Sequence, residues 1–99
     1  MSPADGQVSA LDDLIASERR NFLERAPKAT EMGARASRWL AGGVTSSWQI
    51  SDPQPIWIER GLGSRVWDVD GNEYVDLHGG YGVMLAGHAH PAVVAAVSD

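Results

Sequence analysis

The chain has 99 residues, of which 43% are hydrophobic and 21% charged, with no cysteine and a formal net charge of −5. This composition excludes fibrous and disordered classes, and the missing cysteine excludes a disulfide framework and any thiolate metal site. The length allows one domain at most, with a thin core burying roughly 60 to 65% of the surface that the unfolded chain exposes.

The first residues, MSPADGQVSALDD, lack the positive start and apolar run of a signal peptide. No run of about 18 apolar residues could cross a bilayer, so a soluble, cytoplasmic protein is expected. Ser9 and Asp12 resemble a capping box. Leu11, Leu14, Ile15, Phe22 and Ala26 then recur at helical spacing until Pro27, which predicts one amphipathic helix. A second, short helix is expected to start at Thr30, to carry Met32, Ala36, Trp39 and Leu40 on one side, and to stop at Gly42-Gly43. Residues 1–42 hold six acids and six bases, whereas residues 43–99 hold seven acids against Arg60 and Arg65 alone. The pairs Arg19-Arg20 and Arg35/Arg38 fall among acids on these helix faces. A phosphate backbone requires clustered bases, so nucleic-acid binding is not expected and a solvated face is.

Residues 44–55 have no steady period, and Asp52-Pro53 and Gln54-Pro55 push the chain into extended or turn geometry. A loop of about a dozen residues in a compact domain is usually functional or mobile. Three short antiparallel strands are predicted next, Ile56–Arg60, Arg65–Val69 and Glu73–Leu77, separated by Gly61-Leu62-Gly63 and Asp70-Gly71-Asn72. In the third, Tyr74 and Asp76 alternate with Val75 and Leu77, the pattern of a sheet with one covered face. Gly79, Gly80 and Gly82 end the regularity and suit positive φ angles or a close backbone approach. Residues 92–97 read as the opening turns of a helix with Pro91 at or just before its start. The expected organisation is a helical segment 1–43, a loop 44–55, a meander with its glycine-rich and His-Pro loop 56–91, and the start of a helix 92–99 that leads to a missing body. That body would bury the tryptophans at 39, 48, 57 and 67, which are expected to be partly exposed without it.

Several chemical motifs fail on spacing. Asp68-x-Asp70-x-Asn72 opens like a calcium loop, but Glu73 and Gly79 stand where glycine and an acid are needed. Gly79-Gly80-Tyr81-Gly82 lacks the spacing of a dinucleotide loop and the ending of a phosphate loop. His88 and His90 have no third ligand nearby, so no metal site is expected and each reads as a histidine that hydrogen-bonds a loop. No serine sits in a strained elbow sequence, which leaves a self-contained hydrolase without support. Asp70-Gly71 reads as a hairpin turn instead of acid/base machinery. Trp67 reads as a core anchor between meander and body and not as a stacking platform.

Gly42-Gly43-Val44-Thr45-Ser46, then Pro55-Ile56, then the run from Val66 to Asp76 (VWDVDGNEYVD), then Gly87-His88-Ala89-His90-Pro91 resembles the N-terminal part of class III pyridoxal-phosphate aminotransferases, and within them the glutamate-1-semialdehyde aminomutase branch. The combined W-D-x-D-G-x-x-Y-x-D and G-H-x-H-P pattern carries the resemblance over about residues 40–99. It implies an α+β piece, N-terminal helices plus a small three-stranded antiparallel meander, of an α/β fold type I transferase that uses pyridoxal 5'-phosphate, usually as a homodimer. It also implies amino-group transfer between an amino acid or amine and a keto acid or aldehyde, through a lysine that lies far downstream in the family. Lys28, the only lysine here, falls outside every matched motif and is not that residue. The 99 residues alone are therefore expected to bind the cofactor weakly or not at all and to be inactive. By motif position Ser46 matches a substrate-contacting serine, and Tyr81 matches an aromatic residue near cofactor and substrate. Gln49 stands where the aminomutase branch has an arginine for the substrate carboxylate. A neutral amide lacks the charge-assisted fork, so the departure argues against the semialdehyde and, with Trp48 beside it, for a more apolar pocket for a bulkier or β-amino substrate. A reading of another class is a self-standing interaction module that pairs through a strand edge or its N-terminal helix.

Overall fold

A computed structural model describes the backbone of residues 3–98 and the side chains of residues 9–98. It divides into two compact units, Met1–Pro55 and Ile56–Asp99.

In the first unit, helix α1 spans Pro3–Glu24 and helix α2 spans Pro27–Ala36. Ser9 lies inside α1, so the expected cap at Ser9 is not the start of the helix. Proline dictates the break between the helices. Ala26, which precedes Pro27, is driven out of the helical region to φ −133° and ψ 47°. Pro27 then opens α2, where a missing N–H costs nothing. The second helix therefore starts at Pro27 and not at Thr30, and the Thr30 hydroxyl instead donates to the Ala26 carbonyl at 3.0 Å. It also ends earlier than expected. Ala36 closes α2, a turn leads through Trp39 and Leu40, and a separate 3-10 turn forms at Ala41–Gly43. Trp39 is 84% exposed instead of sharing an apolar side with Met32. Ala26, Ala29 and Val44 are the buried apolar residues, a thin core. Gln54 ties the loop back by donating to the Ala26 carbonyl and accepting from the Thr30 hydroxyl, and Arg19 pairs with Asp52.

The second unit is an antiparallel meander in the order β1 (Ile58–Leu62), β2 (Arg65–Asp68), β3 (Glu73–Val75). Compared with the sequence expectation, β1 is displaced toward the C-terminus and takes in Gly61 and Leu62, and a register irregularity falls between Ile58 and Arg60. Gly61 pairs with Val66 in the strand and leaves room for His88: a Cβ there would meet His88 Cγ at 2.7 Å. On β3 the exposure runs opposite to hydropathy. Tyr74 and Asp76 lie on the more covered side, while Val75 is exposed and Leu77 is 94% exposed. Within the sheet the Arg60 guanidinium packs over Trp67, 3.7 Å from its ring centre. Pro91–Ser98 forms the last helix, opened by Pro91 as its sequence predicts. Among the described residues no helix is long and apolar enough to cross a membrane.

Candidate functional site

Ser46 and Gln49 lie together in the first unit. Ser46 is extended, with φ −147° and ψ 143°, and a 3-10 turn, Ser47–Gln49, follows it. The Gln49 side chain folds back as one arm of a capping box, its Oε1 accepting from the Ser46 N–H at 3.2 Å and from the Thr45 hydroxyl at 2.6 Å. With the carbonyl oxygen twice engaged, the two Nε2 N–H donors are what Gln49 can offer a ligand. The side chains of Ser46, Trp48 and Gln49 are exposed. This 3-10 turn lies inside the expected loop, and its signal in the sequence is the Ser-x-x-Gln spacing.

Tyr81 lies in the second unit, in a left-handed turn. Gly79, Gly80, Tyr81 and Gly82 have φ of 57°, 60°, 62° and 82°. Three glycines adopt this conformation without a Cβ penalty, but for Tyr81 the left-handed region costs about 1–2 kcal/mol. Such residues persist where the surroundings over-determine them, commonly at binding sites. The Tyr81 N–H donates to His78 Nδ1 at 3.3 Å, and the two rings meet edge to face with centres 4.3 Å apart. The phenol itself is 74% exposed.

Two carboxylates organise this unit. Asp68, 2% exposed, accepts from the Asp70 and Asn72 N–H groups at 3.0 and 2.8 Å, from Asn72 Nδ2 at 2.9 Å and from the Tyr74 hydroxyl at 2.9 Å. Burial opposes its charge, yet the bonds from Asn72, Tyr74 and Asp70 outweigh burial and hold its carboxyl below the ordinary range. The Asp70-Gly71 turn forms as expected, with Gly71 at φ 87°, but Asp68 is the residue that holds it. Asp76 is the second. Its Oδ2 lies 2.6 Å from His88 Nε2, and its Oδ1 accepts from the His78 and Gly79 N–H groups at 2.9 and 2.8 Å. The bond to His88, then those from Gly79 and His78, lower its pKa to about 2. His88 is thus a loop-bonding histidine, as expected. Among the described residues no group of three His, Cys, Asp or Glu is placed to hold a metal.

The family model described as aminotransferase class-III matches residues 47–99. Glutamate-1-semialdehyde 2,1-aminomutase 2 of Brevibacillus brevis is 43% identical over 75 residues, 73% of this chain and 18% of that protein. The aminomutase of Methanopyrus kandleri is 44% identical over 78 residues, 79% of this chain and 18% of that protein. Among solved structures, a β-phenylalanine aminotransferase from Variovorax paradoxus matches with a TM-score of 0.82 at 30% identity, over 88% of this chain and 20% of that one. A glutamate-1-semialdehyde aminomutase from Pseudomonas aeruginosa PAO1 in complex with PMP matches with a TM-score of 0.81 at 29% identity, over 92% of this chain and 20% of that one. The chain spans about a fifth of the length of the relatives it matches.

Proposed function

Because the chain belongs to the class III aminotransferases, a family of fold type I pyridoxal-phosphate enzymes, we propose that it forms the substrate side of such an enzyme, which moves an amino group between an amino acid or amine and a keto acid or aldehyde. The observation that carries this reading is the family match over residues 47–99, which takes in the meander and the His-x-His-Pro turn. In the complete enzyme Ser46 and Gln49 of the first unit are substrate-side residues, Tyr81 of the second unit is another, and the exposed apolar surface of the meander and last helix is covered by the remainder. The complete enzyme is taken as a cytoplasmic homodimer, on the resemblance to its family. Bound pyridoxal phosphate supplies an electron sink for the substrate carbanion. Its aldehyde needs a lysine amine. Lys28, the only lysine, stands in the first turn of α2 and is already engaged with the protein. The residues of this chain therefore do not fit the cofactor's anchor, and no step of amino transfer is assigned to them.

The substrate class follows from Gln49. Two neutral N–H donors bind a carboxylate through hydrogen bonds roughly half as strong as those of a guanidinium fork, and Trp48 beside them adds apolar surface. A bulkier or β-amino substrate suits that pair better than glutamate 1-semialdehyde, and the likeness to a β-phenylalanine aminotransferase supports the reading. The test is to graft these residues onto the rest of a class III aminomutase and to compare transfer from β-phenylalanine with turnover of the semialdehyde. The expected chimera prefers the β-amino acid, and Gln49→Arg shifts the preference toward the semialdehyde. A folded, cofactor-loaded chimera with the opposite preference refutes the assignment.

A further inference from the structure

Tyr81 pays for its backbone conformation, so something must hold it there, and the hydrogen bonds trace what does. His88 is fixed to the sheet, where it exchanges two backbone bonds with Gly63, at 2.9 and 2.8 Å, outside the three paired strands. Its ring lies over Gly61, where any Cβ would collide with it. From that anchored ring, Nε2 reaches Asp76 Oδ2 at 2.6 Å. The other Asp76 oxygen takes the N–H groups of His78 and Gly79, the last residue before the left-handed turn and the first within it. His78 in turn receives the Tyr81 N–H on its ring and the Gly82 N–H on its carbonyl, at 3.3 and 3.1 Å. The Asp76 N–H also donates to the Ser64 carbonyl at 2.8 Å, and the side-chain path from the sheet to Tyr81 runs through the one carboxylate with every contact at hydrogen-bond distance. Both side chains of the pair are mostly covered, at 21% and 14% exposure, where water competes weakly for the bond.

We propose that Asp76 and His88 are a positioning pair that fixes Tyr81 in its left-handed turn and so presents its ring to the ligand. Neither residue faces the ligand in this account, and both act through His78 and Gly79. The functional half rests on the reading of Tyr81 as a pocket residue, whereas the geometric half stands without it. The loop that carries His88 also has a steric requirement. A Cβ at Gly87 would lie 2.9 Å from the Gly63 backbone, so the His88 loop can close on the sheet only with a glycine at 87.

The geometric half is read by solution NMR on the 99-residue chain, because positive φ brings a residue's own amide and α protons close and gives a strong intraresidue cross-peak. The expected result is a strong cross-peak at Tyr81 in the wild type and in His88→Gln, which keeps a donor near the position of Nε2. In Asp76→Ala and His88→Ala it falls to the intensity of an ordinary residue, while amide exchange protection in β1 and β2 stays within about twofold of wild type. Retention of the strong cross-peak in either alanine variant, or its absence from the wild type, overturns the proposal. So does parallel loss of Tyr81 geometry and β1–β2 protection in every variant, since that makes the pair general scaffold. A Tyr81→Ala chimera with unchanged KM and kcat for amino transfer, with this NMR result intact, removes the pocket role of Tyr81 and leaves the positioning pair standing.

Discussion

Removal of the Asp68 carboxylate should nearly unfold the chain. The residue accepts four hydrogen bonds while almost wholly buried, and bonds to a charged acceptor contribute about 1.5–3 kcal/mol each. In Asp68→Ala the two backbone donors, Asp70 and Asn72, are left in a partly buried turn, which costs about 3 kcal/mol together. The Asn72 amide and the Tyr74 hydroxyl can turn toward water, so they add about 1 kcal/mol in total. The sum, about 4 kcal/mol, is close to the whole stability of a chain this size at the lower end of the usual range, about 5 kcal/mol. Asp68→Asn keeps one oxygen for the backbone donors and should cost about 1–2 kcal/mol, with the Asn72 amide left facing another donor. Tyr74→Phe removes a single bond and should cost about 1 kcal/mol. Urea unfolding followed by tryptophan emission reads the series, because Trp67 adjoins Asp68 and Trp57 accepts a bond from Val69 at 2.9 Å. An Asp68→Ala variant within about 0.5 kcal/mol of wild type, the range of an ordinary surface change, would refute the reasoning.

Gly87→Ala places a Cβ 2.9 Å from the Gly63 backbone at φ +78°. Steric crowding and left-handed strain together should cost about 2–4 kcal/mol, read as a lower urea midpoint. Arg60→Ala removes the cation from the face of Trp67 and should cost about 0.5–1 kcal/mol, with a change in tryptophan emission. Asp76 contributes to acid stability with a definite sign. Its folded pKa, about 2, lies below the ordinary value of 3.8, so the carboxylate's contribution is fully present above 3.8 and is lost as pH falls toward 2. Asp76→Asn should flatten the acid limb of the unfolding curve across that window, measured by circular dichroism against pH.

The meander was legible because its signals are local. Asp70-Gly71 needs only its own residues to make a turn, and the β-branched and aromatic runs on either side have no competing helical period. The helix boundaries were legible only in part. Pro27 reads as a stop in the sequence, but the same ring that ends α1 also opens α2, and spacing of apolar residues does not say which role wins. The glycines of residues 79–82 announce positive φ, whereas the same conformation at Tyr81 is not legible, since it depends on the bond its N–H donates to His78 and on those Asp76 accepts from His78 and Gly79. The Asp76–His88 bond joins residues twelve positions apart, beyond the reach of any helix or turn rule. Asp68 could have been found, because an aspartate two and four residues before N–H donors is an Asx-type arrangement. Alternation holds along residues 73–77, but its polarity is not legible: Tyr74 and Asp76 take the more covered side because both have internal partners there, and Val75 and Leu77 are exposed.

The central claim is that these residues supply the substrate side of a class III aminotransferase and not its cofactor anchor. The most direct test is the absorbance spectrum of the purified chain with pyridoxal phosphate, before and after borohydride reduction, with mass spectrometry of the product. The account predicts no stoichiometric adduct at any single residue. One stoichiometric adduct at Lys28, with a shifted absorbance band, would contradict it and make the chain a cofactor-binding unit in its own right.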